Sequence, residues 1–381
     1  MSSVSERLER RNSIPIIYTR GTHYEVGYDV GRTFAALIQN FLEICSTLNE
    51  EFIPAYNTPE GRKAYDDTLR SVNENFPQYI KELEGTADGA KVPFYKLFLL
   101  HMDRIITVAA GIENETLPVG CSSICLNQGE QEILGHTEDA ISENLNLYYF
   151  VSAHIVTDRP QGKWSTTEEK FTSLCYPGHL PGYTMSYNHH GLIFSINTLS
   201  ATFVQAGRTP RHFLTRALLS AENFSQAVQI LKDPGCGAGD GCSVNLKFVN
   251  DSDRLFYNIE MGPVVADDMS QLNVAVASPG ENLMHCNRYL RLAIPEETGP
   301  MRDSSDARLR VLNEYPKALK KSDVIKMLSD QTDSRYTVFQ ETNIQTIAVG
   351  IFDCREKTWS IYSDKANQNE PLIVLPLVFK R

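Results

Sequence analysis

One stretch of this chain carries the residue types for a nucleophilic attack on its own backbone. Leu117-Pro118-Val119-Gly120-Cys121-Ser122-Ser123-Ile124-Cys125-Leu126 places a glycine directly before a cysteine and two hydroxyl residues after it. Glycine reaches backbone angles that other residues resist, and Pro118 breaks any helix, so the Gly120 carbonyl can be strained or exposed. A Cys121 thiol adding to that carbonyl moves the acyl group from nitrogen to sulfur, and water then cuts the thioester. The products are 1–120 and 121–381, the second with a free α-amino group on Cys121. That amine, with a reference pKa of roughly 8, can serve as base for its own thiol. The bland alternative is a small buried thiol at the start of a strand.

The elements around this junction change character as the chain crosses it. Residues 1–13 read as a mobile polar tail, and Ile16 to Thr19 as a short strand. From His23 to about Asn49, Val26, Val30, Phe34, Leu37, Ile38, Phe41 and Ile44 fall on one helical stripe. Gly27 and Gly31 lie four apart on it and weaken the helix, which points to close packing against a neighbour. Pro59 opens a second helical stretch with a break at Pro77, and a third runs from Pro93 through Ile105. After Cys121 strands dominate: Glu132 to Asp139, Leu147 to Val156, Gly182 to Met185, and Gly191 to Asn197, the last two joined by a turn at Tyr187 to His190. Arg208 to Leu219 and Ser225 to Leu231 read as paired helices. Cys242 to Phe248 with Leu255 to Ile259, and Thr346 to Phe352 with Thr358 to Tyr362, read as hairpins. Helices are expected at Ser304 to Leu312 and Ser322 to Leu328. This order suggests sheets covered by helices.

Composition narrows the function. The formal charge is −11, from 36 basic and 47 acidic residues. No basic excess exists to meet phosphates, which argues against a nucleic-acid partner. No run of 18 apolar residues and no apolar leader occur, so the expectation is a cytoplasmic protein with no membrane partner. The eight cysteines would then be reduced, and the triplets at Asn114, Asn223 and Asn250 carry no glycan. Cys121 and Cys125 are one residue too far apart for a redox pair, and Cys236, Cys242 and Asp240 match no zinc spacing. No metal or cofactor is expected.

Gly120-Cys121-Ser122-Ser123, Gly135-His136-Thr137-Glu138-Asp139 and Gly191 to Asn197 together resemble the penicillin acyl-CoA:isopenicillin N acyltransferase family of N-terminal-nucleophile hydrolases. The likeness continues through Tyr24-Glu25-Val26-Gly27, His285-Cys286-Asn287-Arg288 and Ser304 to Arg308. It implies an α+β fold, a four-layer αββα sandwich in one domain spanning 1–381, cut between Gly120 and Cys121 into two fragments that stay together. It implies Cys121 as nucleophile and Asp139, 18 positions on, as holder of the new α-amino group. It implies Asn197 and Asn245 around the oxyanion and Arg308 near the nucleophile. Substrate contacts are expected from His136 and Glu138, with Glu143 a second carboxylate for a substrate ammonium. The implied partner is a small N-acyl amine, with β-alanyl-dopamine and β-alanyl-histamine foremost. Transfer of the acyl group from acyl-CoA to an amine, a lipid amidase, and a non-catalytic protein of the same fold are the alternatives.

Each residue also has an ordinary reading. Asp139 can cap a turn, Asn197 can end a strand, and Arg308 can be a solvated helix charge. Asn245 sits in an apolar run, where a buried amide needs partners whatever its role.

Overall fold

In the computed structural model, residues 10–112, 120–342 and 344–380 are described. The expected tail falls mostly outside them, as do Leu117 to Val119 and the triplet at Asn114. Residues 10 and 11 are anchored rather than loose. Arg10 donates to Thr346 O at 2.6 Å and Arg11 N donates to Asn146 Oδ1 at 2.9 Å.

Strand β1 (Ile16–Gly21) leads into α1 (His23–Thr33), which starts where Thr22 and Glu25 cap each other's backbone N–H groups. The apolar stripe of one expected long helix is broken at Phe34 into α1 and α2 (Ala35–Ile44), followed by a π-helical turn at Thr47–Phe52. Then come α3 (Ile53–Tyr56), α4 (Pro59–Asn75) and α5 (Pro77–Ala90). Gly27 and Gly31 do serve close packing: a Cβ on Gly27 would lie 1.9 Å from Glu82 O on α5. The third expected helix is also two, α6 (Phe94–Met102) and α7 (Arg104–Ala109), broken at Asp103 with φ 48°.

The chain then lays down β2 (Cys121–Gln128), β3 (Gln131–Ile141), β4 (Tyr149–Gln161), β5 (Thr166–Cys175), β6 (Met185–Asn188) and β7 (Leu192–Leu199). The strand expected from Gly182 starts only at Met185, and Tyr187 and Asn188 belong to it rather than to the turn. Helices α8 (Arg211–Leu218) and α9 (Phe224–Lys232) precede β8 (Gly241–Phe248), β9 (Phe256–Gly262), β10 (Gln271–Ala277) and β11 (Glu281–His285). Helices α10 (Pro300–Glu314) and α11 (Lys321–Leu328) precede β12 (Ile344–Asp353), β13 (Thr358–Tyr362) and β14 (Ile373–Pro376).

The strands form two sheets. One runs β1-β4-β5-β6-β7-β8-β9-β10 and the other β11-β2-β3-β12-β13-β14. Their facing sides share a core in which Cys125 and Leu134 meet Phe150, Leu174, Met185, Ile193 and Phe256. Burying each such large side chain stabilises the fold by roughly 1.5–3 kcal/mol. The outer side of the larger sheet is covered by helices from the first half and by α8 and α9, with Phe34 stacked on Tyr149 at 3.8 Å. The outer side of the smaller sheet is covered by α10 and α11 through Val311, Leu312, Val324 and Leu328. The layers are therefore helix, sheet, sheet, helix, as expected. Among the described residues no helix is long and apolar enough to cross a membrane.

Candidate active site

Cys121 opens β2, whose partner strand β3 sets Cys121 against Glu138, Ser122 against Thr137 and Ser123 against His136. Side chains alternate along a strand, so Cys121 and Ser123 share one face with their neighbours Glu138 and His136. That face looks towards β7 and β8 of the other sheet, which bring Ser195, Asn197 and Asn245. The opposite face meets α10, which brings Arg308 against Ser122.

Every polar atom of the Gly120–Cys121 peptide is held. The Gly120 carbonyl accepts from Asp139 N at 3.0 Å. The Cys121 N–H donates to Asn287 Oδ1 at 2.7 Å. The Cys121 carbonyl accepts from Asn197 Nδ2 at 3.0 Å and from Arg308 Nη1 at 2.8 Å. A side chain at position 120 would have no room: a Cβ would lie 2.2 Å from Asn287 Oδ1 and 2.6 Å from Arg308 Nη2.

Arg308 is fully buried, not a solvated charge. It also donates to Ser122 Oγ at 2.9 Å and to Asn287 Oδ1 at 2.8 Å, and stands 4.0 Å from Asp139 Oδ2. Asp139 accepts from Thr346 Oγ1 at 2.6 Å and from Gln340 Nε2 at 2.9 Å. Burial pushes its carboxyl up to about 6, against the opposing pull of Arg308 and these donors. The Cys121 nitrogen is thus held by Asn287, and Asp139 lies behind it on Arg308. In the sequence Asn287 is legible only as part of a short motif, with no role attached.

Asn197 and Asn245 have different stations. Asn245 Nδ2 donates to Asn197 Oδ1 at 2.7 Å and to Ser195 Oγ at 3.2 Å, and its Oδ1 accepts from Asn258 at 2.8 Å. It fixes the orientation of Asn197 and makes no hydrogen bond to Cys121. His136 likewise stands behind the cavity wall. Its Nδ1 pairs with Ser123 Oγ at 2.8 Å and its Nε2 with Glu138 Oε2 at 3.1 Å. Glu138 Oε1 accepts from Tyr176 Oη at 2.6 Å. The ligand atoms of Cys121, His136 and Glu138 lie within 4.8 Å of one another, close enough for a metal ion. Both ring nitrogens of His136 have protein partners, one of them Glu138 itself.

Burial, then Glu138 and Asp139, push the Cys121 thiol well up. Cys125 is a core thiol pushed up to about 12 by burial. A cavity of about 280 Å³ opens on this site, walled by Gly120, Cys121, Glu138 and Asp139 on one side. Helical-layer residues including Phe41, Glu51 and Asp103 complete it, with Tyr176, His179, Tyr183 and His212. Glu143 is not in its wall. Among the described residues Glu51 has neither a hydrogen bond nor an ion pair, and burial and Asp103 push its carboxyl up.

The model of the acyl-coenzyme A:6-aminopenicillanic acid acyl-transferase family matches residues 126–368, which include Asp139, Asn197, Asn245, Asn287 and Arg308 and begin just past Cys121. The beta-alanyl-dopamine/carcinine hydrolase of Drosophila melanogaster is 49% identical over 381 residues, covering 98% of each chain. Among solved structures, a mutant of conjugated bile acid hydrolase from Clostridium perfringens is similar with a TM-score of 0.38 and 10% identity, covering 68% of this chain and 92% of that one. Penicillin V acylase from Agrobacterium tumefaciens has a TM-score of 0.38 and 13% identity, covering 64% and 82%.

Proposed function

Because the chain belongs to the acyl-coenzyme A:6-aminopenicillanic acid acyl-transferase family, we propose that it is a self-cleaving cysteine hydrolase of β-alanyl amides, with β-alanyl-dopamine and carcinine (β-alanyl-histamine) as substrates. The observation that carries the chemistry is the Gly120–Cys121 peptide, with its carbonyl on the Asp139 N–H and its nitrogen on Asn287. The substrate class is supported by the full-length likeness to a hydrolase with those amides in its name.

In the first reaction Cys121 Sγ adds to the Gly120 carbonyl carbon, and the oxyanion sits on the Asp139 N–H. As the C–N bond breaks the thiol proton passes to the leaving nitrogen, so that Cys121 keeps it as an amine, and water then hydrolyses the thioester to a Gly120 carboxylate and a free thiol. Fragments 1–120 and 121–381 remain packed as one domain. In the second reaction the new α-amino group takes the thiol proton, and Sγ attacks the substrate amide. Asn197, with one N–H on the Cys121 carbonyl and another to give, stabilises the oxyanion; Asn245 positions it. The α-ammonium then protonates the leaving amine, and water releases β-alanine. Asn287 Oδ1 accepts from the α-amino group, Arg308 fixes Asn287 and the Cys121 carbonyl, and Asp139 supplies the negative charge behind them. Glu138 receives the β-alanyl ammonium, since it lies on the cavity wall with, among the described residues, Tyr176 and His136 alone on its oxygens.

Purified protein given β-alanyl-dopamine is expected to release dopamine and β-alanine in equal amounts, and the larger fragment is expected to begin at Cys121. Release from other acyl amides alone removes the substrate claim and keeps the chemistry. The family's description favours a second reading, transfer of the acyl group to an amine; amide formed from acyl-CoA and free amine would establish it. Gly120→Ala is expected to slow self-cleavage by at least about 10-fold, because its methyl must displace Asn287 and Arg308 and misplacement of about 1 Å costs rate steeply. The uncut fraction on a denaturing gel over time measures it.

A further inference from the structure

The cavity wall also holds aromatic rings and, among the described residues, a nitrogen without a partner. His212 is 3% exposed and lines the cavity; its ring meets the His101 backbone, and among the described residues its Nδ1 has no hydrogen bond. Its ring lies 3.8 Å from that of Tyr183, centroid to centroid. Tyr183 is fixed in turn, its hydroxyl paired with Thr198 Oγ1 at 2.8 Å and with Arg211 Nε at 3.0 Å. His179 stands 5.7 Å from His212 and 5.8 Å from Tyr176. Its Nδ1 lies 3.2 Å from Pro177 O, which can only accept, so Nδ1 carries the proton and Nε2 keeps a lone pair. Burial keeps both rings neutral, His179 lowered to about 4 and His212 well below its ordinary value.

We propose that His179, Tyr183 and His212 form the seat for the ring of the leaving amine, with the free imidazole nitrogens bonding its outward O–H or N–H groups. This rests on the β-alanyl amide reading above. The β-alanyl ammonium is held within about 4 Å of the scissile carbon by its own bonds, which keeps it beside Glu138. The arylethyl arm reaches roughly 8 Å further out. Tyr176 covers that interval, with its hydroxyl on Glu138 and its ring next to His179. A catechol and an imidazole differ in shape but share a flat ring with an edge donor. An aromatic slot ending in neutral acceptors takes either, and a buried nitrogen lacking a partner gains one.

The test is steady-state kinetics of the full protein on β-alanyl-dopamine, β-alanyl-histamine and β-alanyl-phenethylamine, the last with no edge donor. Wild type is expected to favour the first two by at least about 10-fold in kcat/KM. His212→Phe is expected to bring that ratio to about 1, mainly through KM, and His212→Gln, which keeps an acceptor, to restore part of it. If His212→Phe does not accumulate, His179→Phe carries the same expectation. A wild type without the preference, or variants that lose rate equally on all three, overturns the proposal. A wild type that releases no amine from any β-alanyl amide removes the function proposed above instead.

Discussion

Cys121→Ala is expected to run as a single full-length band and to lose at least roughly 10⁴-fold in amine release. Wild type is expected to run as two bands of about one-third and two-thirds of the mass, as the 120 and 261 residues on either side of the cut require. The expected loss is large because in the proposed mechanism the sulfur serves twice, first on its own chain and then on the substrate. Cys45 is the informative control. It also lines the cavity, and burial likewise pushes its thiol up. It ends a helix, its N–H bonds Phe41 O, and Asn49 Nδ2 reaches its carbonyl at 2.9 Å, but among the described residues no arginine bonds its backbone and no side chain accepts from its N–H. Cys45→Ala should therefore retain self-cleavage. A chain that stays in one piece yet turns over substrate at full speed as Cys121→Ala would remove the whole mechanism.

The residues legible in the sequence are those fixed by short-range spacing. Cys121 and Asp139 sit on two adjacent strands joined by a tight turn, so their separation along the chain reports their separation in space. Asn197 follows the apolar run Leu192 to Ile196, broken only by Ser195, near the end of β7. Arg308 follows small residues, Ser304, Ser305 and Ala307, that let its helix lie close to β2. Asn287 is not legible because its placement depends on β11 pairing with β2 over more than 150 residues. The strand β5 is hidden because its first half, Thr166 to Lys170, is polar and largely exposed. The breaks at Phe34 and Asp103 are hidden because the apolar stripe runs on through both. Asn245 and His136 show the limit of reading type without place: both have the chemistry for contact, and both stand one residue behind it. Buried charge is equally invisible. Arg216, fully buried, bonds Glu82 at 2.7 Å and Glu169 at 2.5 Å, joining α8, α5 and β5, yet its sequence neighbours read as an ordinary amphipathic helix.

Arg308→Met is expected to cost stability and catalysis together. Its guanidinium is the one cation within 4.0 Å of Asp139 among the described residues, and it also holds the Cys121 carbonyl and Asn287. Removing one member of a buried charge pair costs about 3–5 kcal/mol, because the other is left uncompensated. The effect on the site has a definite sign. Arg308 pulls the Asp139 carboxyl down while burial pushes it up, with the balance at about 6. In the proposed mechanism the charged Asp139 is the form that supports an α-ammonium, so amine release is expected to fall as pH drops through about 6. Without Arg308 burial is opposed only by Thr346 and Gln340, the carboxyl rises further, and the acid limb of the pH–rate profile should move to higher pH. At neutral pH the turnover should fall by about 10²–10³-fold, the usual cost of losing a preorganised donor to reacting backbone. Arg308→Lys keeps the charge without the fork. It should hold the acid limb near its wild-type position while still slowing self-cleavage, since one ammonium cannot reach Ser122, Asn287 and the Cys121 carbonyl at once. Thermal unfolding, a gel time course and the pH profile separate the three effects. If Arg308→Met cuts itself at the wild-type rate with its acid limb unmoved, the arginine is only a structural cation and Asp139 is charged by other means.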